Sequence, residues 1–175
     1  MQLLIQRIAI AGAMIPALDA WQYGAILLVL FALVALPLGF ASGFMQMNAS
    51  ELTWKRVGIV LVTSLFSPAV SEEVVFRVLL LPNPVEKVEP IAQSSWAVIS
   101  LALFVVYHPA NAHTFFPAGK QVFVNPIFLS LAALLGLVCT LAYFHDGSLW
   151  TPVFLHWIVV VVWLLLLGGY QKLHD

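Results

Sequence analysis

The stretch Ser71-Glu72-Glu73-Val74-Val75-Phe76-Arg77 places two carboxylates and a guanidinium inside one of the most apolar parts of a 175-residue chain that is 62% hydrophobic. A charged side chain near the centre of a bilayer costs at least ~2.5 to 3.5 kcal/mol on insertion scales, so three together mark a functional site within a membrane. The surrounding composition sets that membrane context. Only 9% of residues are charged and the mean hydropathy is +1.01, whereas a soluble globule of this size is about a quarter charged. The chain therefore reads as all-α: a polytopic integral membrane helix bundle.

Apolar runs long enough to cross a core of about 30 Å recur between short polar breaks, and about five transmembrane helices are expected. They cover about Gly24 to Met47, with Pro37 and Gly39 as a kink, Val57 to Leu81, Ile91 to His108, Val124 to Phe144 and Leu149 to Gly169. The first break, Asn48 to Arg56, carries Glu51, Lys55 and Arg56. Pro82-Asn83-Pro84 stops the second span, because two prolines cannot continue a helix. Pro109 biases His108 out of the helical region, which ends the third span there. Only His145-Asp146-Gly147-Ser148 separates the last two, so they form an antiparallel hairpin, with Asp146 as a turn and helix-start residue.

Met1 to Ala20 is apolar but interrupted by Gln6, Arg7, Pro16 and Asp19. It reads as an amphipathic interfacial helix or partial span, with a sixth crossing as the alternative. The organisation is thus a segment over 1–23 and a transmembrane bundle over 24–175, with no internal repeat. Lys55, Arg56, Lys120 and Lys172 share one side against Arg7 and Lys87 on the other, which favours the first group as cytoplasmic.

A net charge of -1 with seven scattered Lys and Arg argues against a nucleic-acid partner. Cys139 is the sole cysteine, so no internal disulfide exists; it reads as a small buried or lipid-facing residue. Trp21, Tyr23, Trp54, Trp150 and Tyr170 fall near span ends as an aromatic belt. His113 and His145 fall in expected loops and His174 near the end of the chain.

Residues four apart on a helix differ by about 40° in direction, so Glu73 and Arg77 share a face and pair. Glu72 points about 100° from Glu73 and about 140° from Arg77, and its own helix cannot neutralise it. Such a carboxyl is either protonated or met by a partner from another helix, and both conditions suit a general base or acid. His108 and His156 are the other ionisable residues at membrane depth. Singly, each reads equally well as a packing histidine; beside an unpaired carboxylate they read as part of a site.

These residues resemble the CAAX protease and bacteriocin-processing (CPBP) family of intramembrane peptidases, also called the Abi family. Glu-Glu-x-x-x-Arg matches Glu72, Glu73 and Arg77, and Phe-x-x-x-His matches Phe104 and His108. Gly147-Ser148-Leu149-Trp150-Thr151-Pro152 precedes His156 as it does the third motif of many members, but Val160 stands where that motif has asparagine or aspartate. The resemblance covers about 57–169. It implies peptide hydrolysis by a glutamate-activated water, with Glu72 as base, Glu73 and Arg77 as supporting pair, His108 positioning the water or assisting proton transfer, and His156 polarising the scissile carbonyl. Val160 removes one oxyanion contact; Asn111 is a possible substitute, although a turn-forming role fits it better.

No cofactor is needed for that chemistry. The rival is a zinc centre held by Glu72, His108 and His156, which no local His-Glu-x-x-His signature supports. The implied partners are the lipid bilayer and a peptide or membrane-protein substrate, in a prokaryotic plasma membrane or an organellar membrane. A catalytically silent scaffold that binds a membrane partner is the competing function, favoured by Val160. A proton-coupled transporter is disfavoured by the odd span count and the lack of a repeat.

Overall fold

The computed structural model of the protein describes residues 2–48 and 52–174; Glu51 lies outside the described residues. Among them the regular structure is helical, apart from one isolated pairing between Asn48 and Leu167. The chain forms an all-α membrane bundle. Four helical segments are long and apolar enough to cross a membrane: Leu18–Ala41, Trp54–Glu86, Pro90–Thr114 and Pro126–Asp146. The fifth expected span, Trp150–Leu166, is equally apolar but has 17 residues.

Helix α1, Gln2–Ala13, precedes a break around Pro16, and α2 follows as Leu18–Ala41. At 12 residues, α1 is about 18 Å long and too short for the sixth crossing. Both guanidinium edges of Arg7 are tied down: Nε and Nη2 donate to the two Glu86 carboxylate oxygens at 2.7 Å, and Nη1 donates to Leu79 O at 3.0 Å. Trp150 Nε1 also donates to Gly12 O at 2.9 Å. The first span thus begins before Gly24 and ends before Met47, at a cap where Ser42 is followed by Gly43 with φ 71°. Pro37 lies within it.

The second span is broken where the sequence reading had it continuous. Helix α3, Trp54–Ser64, leads into a π-helical stretch, Leu65–Val70, in which Ser67 leaves helical geometry at φ -136° and ψ 108°. Pro68 is the cause, since a proline disfavours the helical region for the residue before it. The chain then continues through α4, Ser71–Glu73, into a second π-helical stretch, Val74–Leu79. The break and the wide turns lie on both sides of the carboxylate pair.

Helix α5, Pro90–Thr114, continues for six residues, 109–114, past the end expected at His108. Pro109 forfeits one main-chain hydrogen bond, which membrane helices tolerate when neighbours compensate. His113 therefore sits in the last turn of α5 and Asn111 within the helix, neither in a loop. Short α6, Lys120–Phe123, precedes α7, Pro126–Asp146, whose start Asn125 caps by accepting from Ile127 N at 2.8 Å.

Gly147, with φ 74°, ends α7 and turns the chain into α8, Trp150–Leu166. Asp146 stabilises that start by accepting from Ser148 N and Thr151 Oγ1, both at 2.9 Å. His145 belongs to α7 rather than the loop, stacked on Tyr23 at 4.4 Å. Helix α9, Gly169–His174, follows.

Helix α7 is the central element, with α2, α5 and α8 packed on it. Phe31, Leu131, Leu135 and Trp163 lie in the main core, while Ile26, Leu33, Val98 and Val106 turn outward as lipid-facing side chains do. The alternation of helices carries Lys55, Arg56, Lys120 and Lys172 to one end and Arg7 and Lys87 to the other.

Candidate active site

Glu73 is fully buried and Arg77 nearly so. Their i,i+4 spacing brings Arg77 Nε to 3.0 Å from Glu73 Oε2. That contact is an ion pair without an aligned N–H, since neither atom completes a hydrogen bond. The guanidinium is held further by Nη2, which donates to Gly136 O at 3.0 Å, and by the Phe104 ring, 4.6 Å below Cζ. A buried charge stays ionised only with such compensation.

Glu73 also reaches α8. His156 Nδ1 and Glu73 Oε1 are 2.7 Å apart, and with Glu73 ionised the ring N–H donates. Carboxylate hydrogen bonds of this kind fix the orientation of a histidine and leave the opposite nitrogen for chemistry. That nitrogen, Nε2, stands 3.8 Å from Glu72 Oε2. Glu72 is buried, no Arg77 contact within 4.0 Å reaches it, and Oε2 has no hydrogen-bond partner among the described residues. The partner its own helix could not supply comes from α8.

His108 is anchored differently. Its Nδ1 lies 2.9 Å from Phe104 O; a carbonyl only accepts, so Nδ1 carries the hydrogen and Nε2 is free of it in the neutral ring. Phe104 packs edge-on against both histidines, with centroids 5.0 Å from His108 and 6.1 Å from His156. Glu72, His108 and His156, from three separate helical elements, line one cavity of about 830 Å³. Glu73 and Arg77 stand behind its wall. Aromatic and aliphatic side chains supply most of the remaining lining, and Arg56, Tyr170 and His174 extend it toward the lysine-rich end.

Val160 lines this cavity one turn beyond His156, so an apolar group occupies the place of the motif's polar residue. Asn111 lines it too, three residues past His108, instead of serving a turn.

Two supporting residues escaped the sequence reading. Gly136 gives Arg77 its carbonyl and lets α5 approach α7: an added Cβ would lie 2.8 Å from Leu101 Cδ1 and 2.9 Å from Phe104 Cδ1. A glycine inside an apolar span is itself a sign of close helix approach. Cys139, fully buried, lies against Glu73 and His156, and no pattern in the sequence pointed there.

Among the described residues one trio, Glu73, Cys139 and His156, brings three ligand-type atoms within 4.8 Å of one another. It does not suit a metal, because both Glu73 oxygens already face cationic or N–H partners and His156 Nδ1 presents a hydrogen. Among the described residues Glu72, His108 and His156 are not gathered within that distance.

The family model described as type II CAAX prenyl endopeptidase Rce1-like matches residues 53–162. No curated protein and no solved structure matches the chain. The matched segment takes in Glu72, Glu73, Arg77, His108, His156 and Val160, and the chain belongs to the Rce1-like family of CAAX prenyl endopeptidases.

Proposed function

We propose that the protein is an intramembrane peptidase that hydrolyses a peptide bond of a membrane-associated substrate with a water activated by Glu72. The observation that carries this reading is the division of labour between adjacent carboxylates. Glu73 is consumed by Arg77 and His156, whereas Glu72 reaches the cavity with an oxygen left without a hydrogen bond. Glu72 takes a proton from water as the hydroxyl attacks the scissile carbonyl carbon, and returns it to the departing amine when the C–N bond breaks. His108 positions the water. His156, held by Glu73, polarises the carbonyl when its Nε2 carries a proton.

The largely apolar cavity fits a substrate that arrives from the bilayer, such as a leader peptide or another membrane protein, in a prokaryotic plasma membrane or an organellar membrane. Val160 favours a second reading, a silent member of the family that uses the same bundle to bind a membrane partner, since loss of one oxyanion donor typically costs ~2.7 to 4 kcal/mol of transition-state stabilisation. Comparing the peptides and termini of membranes that carry wild type, Glu72→Gln or no protein separates the two. Termini present only with wild type support the peptidase; identical termini in all three membranes support the scaffold.

A further inference from the structure

A second pocket, of about 400 Å³, lies away from the carboxylates and is polar in character. Its walls come from Gln46 and Asn48 beyond α2, Gln121 and Asn125 around α6, and Gln171 and Lys172 on α9. Each of these elements lies just outside the end of a long apolar helix, at the end of the bundle that also carries Lys55, Arg56 and Lys120. The pocket thus sits where lipid headgroups meet the protein.

The donors and acceptors define what it would take. Lys172 supplies a cation, its Nζ 5.8 Å from the Phe44 ring centroid. Asn125 spends its Oδ1 on the cap of α7, which leaves the Nδ2 amide as a donor. Gln171, half-buried in the same wall, adds a side-chain amide with an acceptor oxygen and N–H donors. A ligand that satisfies all three carries negative charge and a hydroxyl donor. Phosphocholine has no hydroxyl or N–H to offer Gln171, and its net charge gives Lys172 no preference.

We infer that this pocket binds the headgroup of an anionic, hydroxyl-bearing phospholipid of the phosphatidylglycerol kind. The opposite side of α9 presents Tyr170, Leu173 and His174 to the large cavity, and Phe44 lines both spaces. A bound headgroup therefore steadies a helix that lines the large cavity, a consequence that holds whether the chain is a peptidase or a silent binder.

The test uses the full-length protein, purified in detergent and stripped of lipid, then titrated with phosphatidylglycerol, phosphatidylcholine or inorganic phosphate while bound lipid is read by native mass spectrometry. Phosphatidylglycerol should be retained and phosphatidylcholine not. Lys172→Gln should weaken retention by about fivefold, the value of one lysine near an anionic headgroup, and Gln171→Leu should weaken it as well. Lys55→Gln, which alters a lysine at the same end outside the pocket, should leave retention unchanged. Equal retention of both lipids, or an equal loss in Lys55→Gln and Lys172→Gln, overturns the inference in favour of a general surface attraction. Displacement of phosphatidylglycerol by equimolar inorganic phosphate overturns it in favour of a simple anion site.

Discussion

Removing the guanidinium in Arg77→Ala strips Glu73 of its ion pair at 3.0 Å, removes one of the donors to Gly136 O, and takes a cation from the Phe104 ring. The carboxylate stays fully buried, with His156 Nδ1 at 2.7 Å and the Cys139 thiol beside it but no cation. Breaking a buried pair from one side costs about 3 to 5 kcal/mol because an uncompensated charge remains. For a chain of this length each kcal/mol shifts the midpoint by roughly 2 to 4 °C, so a fall of roughly 6 to 20 °C is expected. The assay is thermal unfolding in detergent at one fixed scan rate, with wild type, Arg77→Ala, Glu73→Gln and the double variant side by side. The double variant should lose less than the sum of the singles, since neutralising Glu73 removes the charge that Arg77→Ala strands. An Arg77→Ala protein that melts within about 2 °C of wild type, or strict additivity in the double variant, refutes the reasoning.

Other expectations follow from the same contacts. Val160→Asn should raise turnover, by up to 100- to 1,000-fold if the missing oxyanion donor limits the rate; unchanged or lower turnover in a well-folded variant counts against that role for the position. Gly136→Ala should destabilise the fold by about 1 to 3 kcal/mol and depress activity, because the methyl meets Leu101 and Phe104; wild-type melting and turnover would show that the close approach is dispensable. Arg7 donates to both Glu86 carboxylate oxygens at 2.7 Å, so Glu86→Gln should loosen α1 and quicken hydrogen exchange over 2–13; a Glu86→Gln protein that exchanges there at the wild-type rate contradicts the anchor.

Much of the site was legible because buried charge is costly enough to leave a local signature. The four-residue spacing predicted the Glu73–Arg77 pair, and the angular offset of Glu72 left it either protonated or met from another helix; His156 on α8 stands 3.8 Å from it. The places where the reading failed are those where one helix depends on others. Ser67 leaves helical geometry before Pro68, yet α5 continues through Pro109; a proline's local bias is the same in both, and the packing around it decides. Asn111 shows the consequence, because the continued helix carries it to the cavity wall. Gly136 and Cys139 acquire their positions from the approach of α7 to other elements, which no spacing within α7 encodes.

The most direct measurement is hydrolysis of a membrane-peptide substrate by purified protein in 18O-labelled water with a chelator present, wild type beside Glu72→Gln. Glu72→Gln keeps the shape of the side chain but cannot take a proton from water. Wild type should release product with the label in the new carboxyl group, insensitive to the chelator, while Glu72→Gln stays folded and at background. Turnover by Glu72→Gln at the wild-type rate would contradict the account.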